Sequence, residues 1–256
     1  MRTPDDIGLA YEDVRFSTAD NVALHGWFLP AAGPACATVL FLHGNAENIS
    51  THIGSVYWMP RYGFNVFLPD YRGYGESTGV PSLPGLQADI DAAIRYLRSR
   101  RDVAADGLVV LGQSLGGASA VYYVAHGAER AHVRALIVDS AFSSYRDIAR
   151  EKLAGFWLTW PLQSPLAWTI DNDYSPLAAA PHVAPIPLLL IHGDADAIVP
   201  VHHSERLYAA AREPKEFWRI EGAGHIETLH SVPVRARLVS YLYSRACPTR
   251  PVPAVK

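Results

Sequence analysis

Short apolar runs alternate along this chain with longer stretches in which apolar residues return every three to four positions. Runs near 37–43, 65–69, 107–112, 134–139, 187–192 and 216–221 have strand length, and their near-continuous apolarity predicts strands covered on both faces. Leu86, Ile90, Ala93, Ile94 and Leu97 fall on one face of a helix started at 82–84 and ended before Gly107. Asp89, Asp91, Arg95 and Arg98 fall on the other. A last helix over about 231–244 turns Val234, Leu238, Val239 and Leu242 inward. Before Pro30 the pattern is different: 14–17 and 22–29 read as two strands joined by a turn at Ala19-Asp20-Asn21. Together these elements predict an α/β fold with a mostly parallel eight-stranded sheet, an N-terminal antiparallel hairpin at its edge and helices on both faces.

One connection breaks the rhythm. The 140–185 stretch is far longer than a βα loop needs, which predicts structure of its own, a small helical cap inserted at about 141–185. It carries Phe156, Trp157, Trp160 and Trp168 among Leu153, Leu158, Leu162, Leu166 and Ile170. These aromatics either roof an apolar pocket or pack the cap onto the body. Residues 1–245 read as a single domain, and the proline-rich 246–256 as a disordered tail.

The chemistry is concentrated at the ends of the predicted strands. Gly112-Gln113-Ser114-Leu115-Gly116 follows the apolar run 108–111 and opens onto a small-residue helical stretch, the strand–turn–helix context of a nucleophile elbow. Downstream, His192-Gly193-Asp194-Ala195-Asp196 closes another strand, and Glu221-Gly222-Ala223-Gly224-His225 follows the run 217–220. The chain order Ser, Asp, His is that of the α/β-hydrolase fold.

With His43-Gly44-Asn45-Ala46-Glu47 and Asp70-Tyr71-Arg72-Gly73-Tyr74-Gly75-Glu76-Ser77, these motifs span nearly the whole chain. In them the chain resembles α/β-hydrolases of the subgroup that includes eukaryotic protein depalmitoylases and many uncharacterised bacterial hydrolases. The resemblance implies Asp196 as the acid, with Asp194, which can brace the turn, and Asp139, at the end of the preceding strand, as rivals. Relatives of the subgroup often carry an N-terminal hydrophobic segment, so an upstream anchor lost or cut from this chain is one expectation.

Ser114 Oγ is a weak nucleophile at its free pKa and needs a base, itself oriented by a third group. His225, in a glycine-rich loop, is the candidate base, and His230 its rival. Oxyanion stabilisation requires two N–H groups; Leu115 supplies one and Asn45 the other, with Ala46 as fallback. Tyr74, Phe156, Trp157 and Trp160 are candidate pocket residues. His43 reads as a loop brace, and 70–77 as a structural turn with an internal Arg-to-carboxylate pair.

Composition narrows the classes. The 256 residues are 49% hydrophobic and 18% charged, with a formal net charge of −3, which leaves no basic footprint for nucleic acid. Any lipid contact must then be apolar. Two cysteines, Cys36 and Cys247, make no disulfide framework and leave the compartment open, with the cytoplasm favoured. Residues 1–6 are neither signal peptide nor anchor, and no apolar run reaches transmembrane length. Adjacent His202 and His203 do not share a helical face, no H-E-x-x-H or Cys cluster occurs, and 112–116 lacks the lysine of a phosphate loop, so neither metal nor cofactor is expected.

These features predict a cofactor-independent serine hydrolase that cleaves a small-molecule carboxylic ester through an acyl-enzyme. An acyl-protein thioesterase or lysophospholipase working at a membrane surface is the alternative, amidase or peptidase action a third, and a non-catalytic binding protein on the same fold the reading from another class.

Overall fold

The apolar runs form the strands of one sheet, and the segments of period 3.6 form helices that cover it. The computed structural model describes residues 3–104, 107–155, 162–247 and 250–255. Its strands are β1 (Glu12–Ser17), β2 (Ala23–Leu29), β3 (Ala37–Leu42), β4 (Phe64–Pro69), β5 (Leu108–Gln113), β6 (Val133–Asp139), β7 (Leu188–Gly193) and β8 (Lys215–Ile220). They lie in the order β1-β2-β4-β3-β5-β6-β7-β8. β2 runs antiparallel to β1 and β4, and every later pairing is parallel. This is the α/β-hydrolase sheet anticipated above, with strand bounds within a residue or two of those read from the apolar runs.

Alternate strand residues feed two cores, because successive side chains point to opposite faces. Leu40, Leu42, Val110, Leu136 and Leu190 pack beneath α2 (Leu83–Ser99), α3 (Leu115–His126) and α7 (His202–Ala210). Val39, Phe41, Leu111, Ile137 and Ile191 pack beneath α1 (Ile49–His52) and α8 (Val232–Ala246). Ser82 caps α2 by accepting from Gly85 N, and Leu86, Ile90, Ala93, Ile94 and Leu97 are buried as their spacing predicted. Asp89, assigned to the solvent face, is buried as well: it takes the Arg72 backbone N–H at 2.8 Å and its Nε at 2.9 Å.

Between β6 and β7 stand α4 (Tyr145–Ala154), α5 (Gln163–Trp168) and α6 (Pro176–Ala179). Ser144 caps α4 by accepting from Asp147 N. Glu151, Asp147 and Lys152 of α4 hold it to the body, through His202 and His203 (3.1 and 3.2 Å), Arg206 (2.7 Å) and the Ala197 carbonyl. Phe156, Trp157 and Trp160 lie outside the described residues. Trp168 does not roof a pocket: it is 71% exposed, with the Arg146 guanidinium 4.6 Å from its ring centre.

The C-terminal residues depart from the expectation of a free tail. Cys247 is buried and joined to Cys36 by a disulfide, and Arg250 donates to the Pro34 and Ala35 carbonyls. Both halves of that attachment come from opposite ends of the sequence, so no local pattern announces it. Among the described residues, no helix is long and apolar enough to cross a membrane.

Candidate active site

β5 ends at Gln113 and α3 begins at Leu115, so the chain reverses over Ser114 alone, at φ +52° and ψ −116°. That backbone is costly for a residue with a Cβ and is held by its surroundings, including the Ser114 N–H donated to the Asp139 carbonyl at 2.9 Å. A Cβ on Gly116 would run into the Leu42 carbonyl, so glycine lets α3 start directly against the end of β3. Leu115 is the first residue of α3, where backbone N–H groups have no partner within the helix.

Beyond β8 the chain returns over this turn. Gly193 permits the approach, since a side chain there would strike the Ala223 carbonyl. His225 Nε2 lies 3.2 Å from Ser114 Oγ, and His225 Nδ1 lies 2.7 Å from Asp196 Oδ2. The other carboxylate oxygen of Asp196 accepts the Ile198 and Val199 N–H groups, both at 2.8 Å, and His192 Nε2 stands 3.3 Å from Oδ2. Burial pushes the Asp196 carboxyl up, but the contacts with His192, His225 and Val199 outweigh it and hold it far below the usual carboxylate range. An ionised acid on Nδ1 fixes the tautomer in which Nε2 accepts from Ser114.

Other candidates are placed elsewhere. Asp139 is buried and receives Gln113 Nε2, Ser140 Oγ and Thr228 Oγ1 at 2.8–3.1 Å; burial raises its carboxyl. Asp194 accepts from Gly222 N and pairs with Arg219, bracing the turn. His230 is exposed at the end of a short 3-10 turn. Arg72 pairs with Asp89 and Asp20, both outside its own motif.

The loop after β3 passes along the other side of Ser114, close enough that a Cβ on Gly44 would sit 3.6 Å from the serine Cβ. Tyr71 Oη donates to the His43 carbonyl and Tyr74 Oη to Asn45 Oδ1, each at 2.9 Å. Asp70 Oδ1 accepts the Ile49 N–H at 3.0 Å, and His52 Nε2 lies 2.9 Å from the Ala46 carbonyl. His43 is buried against Tyr71, ring centres 4.1 Å apart, and burial lowers its pKa to about 4 despite Asp70. His52 and His192 had no role assigned from sequence, and Asp70 only its place in the 70–77 turn. Only packing, or for His192 its four-residue spacing from Asp196, points to them.

Between this loop and the cap lies a cavity of about 430 Å³ that opens on Ser114. Asn45, Tyr74, Leu115, Phe142, Tyr145 and Ile148 are among its walls. Arg72 is the one charged residue among its described walls. On the far side of α4, adjacent His202 and His203 do converge, both reaching Glu151. Ser143 N–H donates to His203 Nδ1 at 3.2 Å, which leaves the proton on Nε2 facing Glu151. In that tautomer the trio is a hydrogen-bonded clasp, and His203 offers no free lone pair to a metal.

Comparison with known proteins agrees with this architecture. A family model described as serine aminopeptidase, S33, matches residues 33–175. The uncharacterised protein YfhR of Escherichia coli K12 is 41% identical over 244 residues, 93% of this chain and 82% of that protein. Protein bem46 of Schizosaccharomyces pombe is 31% identical over 77% of this chain and 64% of its own length. Among solved structures, the Pyrococcus furiosus esterase Pf2001 superposes with a TM-score of 0.77 at 25% identity, covering 96% of this chain and 94% of that one. By the extent of the family match and the likeness of these relatives, the chain belongs to the S33 serine hydrolases of the α/β-hydrolase fold, in the subgroup that includes bem46.

Proposed function

We propose that this hydrolase cleaves carboxylic esters through an acyl-enzyme on Ser114. The observation that carries the reading is the hydrogen-bonded line from Ser114 Oγ through His225 to Asp196. Ser114 Oγ adds to the carbonyl carbon as its proton passes to His225 Nε2, and Asp196 stabilises the imidazolium without taking the proton. Negative charge on the carbonyl oxygen is received by the backbone N–H groups of Leu115 and Asn45. The imidazolium returns its proton to the departing alkoxide, and water then repeats the sequence to release the acid.

The esterase name of the Pyrococcus neighbour supports this reading. Against aminopeptidase action, suggested by the family's description, stands the cavity chemistry. A free α-ammonium group needs a carboxylate partner, and none is among the described walls. The undescribed residues 156–161 contain no acid either.

Steady-state hydrolysis of p-nitrophenyl esters from acetyl to palmitoyl, for wild type and Ser114→Ala, tests the proposal. Wild-type turnover falling at least about 10⁴-fold in the variant, with loss of fluorophosphonate labelling, is the expected result. Hydrolysis that survives the substitution, or no hydrolysis and no labelling in the wild type, overturns it; the latter favours the binding-protein reading.

A further inference from the structure

Resting on the acyl-enzyme reading, we infer that this site selects its substrate by the acyl half and leaves the leaving group unselected, accepting apolar acyl groups of medium length on alcohols or thiols of any bulk. The cavity is one-sided with respect to Ser114. Its walls include Asn45 and Leu115, the proposed oxyanion donors, together with Leu83 and Leu86 of α2 and Tyr145 and Ile148 of α4. His225 is not among its described walls.

The chemistry assigns the two sides. His225 Nε2 must deliver its proton to the leaving atom, so the leaving group departs on the imidazole's side. The carbonyl oxygen points to the Leu115 and Asn45 N–H groups, and the acyl chain takes the remaining direction, into the cavity. On the imidazole side, every residue of the 221–227 loop is at least partly exposed, so a bulky leaving group meets solvent there.

Size and charge narrow the acyl group further. Taking for each carbon the roughly 30 Å³ that one water occupies in the liquid, a cavity of about 430 Å³ has room for roughly fourteen carbons, so acyl chains of about eight to twelve fit within it and palmitoyl exceeds it. Arg72 is engaged by Asp89 and Asp20, which leaves no free charge among the described walls for an ionic acyl group.

Two substrate series separate the halves. The p-nitrophenyl esters vary the acyl group alone. Octanoyl esters of methanol and of methoxy-poly(ethylene glycol), alcohols of similar reactivity, vary the bulk of the leaving group alone. The expected result is a kcat/KM rising about threefold to fourfold per methylene up to about ten carbons, then falling about tenfold by palmitoyl. The two octanoyl esters should agree within about threefold. Ile148→Trp and Leu83→Trp should each lower the ratio of octanoyl to acetyl turnover, a ratio taken within one variant and therefore blind to partial misfolding. A flat acyl profile, a palmitoyl optimum or a strong dependence on alcohol bulk overturns the inference while Ser114-dependent turnover persists. Absence of any Ser114-dependent turnover fails the esterase reading itself.

Discussion

Asp196 is held by groups from three directions: the Ile198 and Val199 N–H groups on one oxygen, His225 on the other, and His192 beside it. Replacing it with asparagine keeps the shape but presents an N–H₂ to Nδ1 and favours the wrong imidazole tautomer. Asp196→Asn is expected to lower kcat by about 10⁴-fold with little change in KM, measured on a short p-nitrophenyl ester. Ser114 and His225 were legible because glycines mark the places where backbone must pass close to backbone. His192, Asp70 and His52 were not, because their partners arrive from other strands and loops. His43 gives a second prediction at this scale. Its pKa falls from 6.5 unfolded to about 4 in the fold, so between those values the unfolded chain binds the extra proton. Stability is therefore complete above pH 6.5 and declines as the pH falls toward 4, by up to about 3 kcal/mol for this group. His52 and His203, also depressed chiefly by burial, add to the same slope. Urea midpoints between pH 7 and 4 should show it, and His43→Gln should make it shallower; an unchanged slope would contradict the assignment.

At the level of elements, α4 joins the body to the cavity: Tyr145 and Ile148 face the pocket while Asp147, Glu151 and Lys152 grip Arg206, the two histidines and the Ala197 carbonyl. Glu151→Ala strips the partner from the buried His203 Nε2–H, which costs about 1–3 kcal/mol, and frees one end of the clasp. The expected outcome is a lowered melting temperature and a KM raised several-fold for an octanoyl ester, with a smaller change in kcat, because the pocket wall and not the Ser114–His225 contact is loosened. The inner strands β3 to β7 were readable almost to the residue, since burial on both faces demands near-unbroken apolarity. The cap was readable only as an excess of length. Its short helices pack by contacts that follow no period, α4 on α7, α5 on α4 and α6 on α3 and α7, and apolar composition alone offered Trp168 a place in a pocket roof or a packed interface that its exposed position does not support.

For the whole molecule, fold class followed from the order of elements, and hairpin, parallel sheet and two-sided helix cover all appear as the patterns implied. What escaped was the tail. A stretch rich in proline reads as unable to continue a helix, which is correct, yet it need not be free, because Cys36 waits beside it some two hundred residues earlier. Cys247→Ser is expected to lower stability by about 2–4 kcal/mol in denaturant titrations under non-reducing conditions, and to make wild type and variant alike once a thiol reductant is added. Equal stability without reductant would mean that the two sulfurs are not joined. The bond also changes what the polypeptide is as an object. From Cys36 to Cys247 the chain is a covalent ring, so one protease cut anywhere within the ring releases no fragment: a nicked molecule keeps its mass on a non-reducing gel and falls into two pieces only when the sulfur bridge is opened.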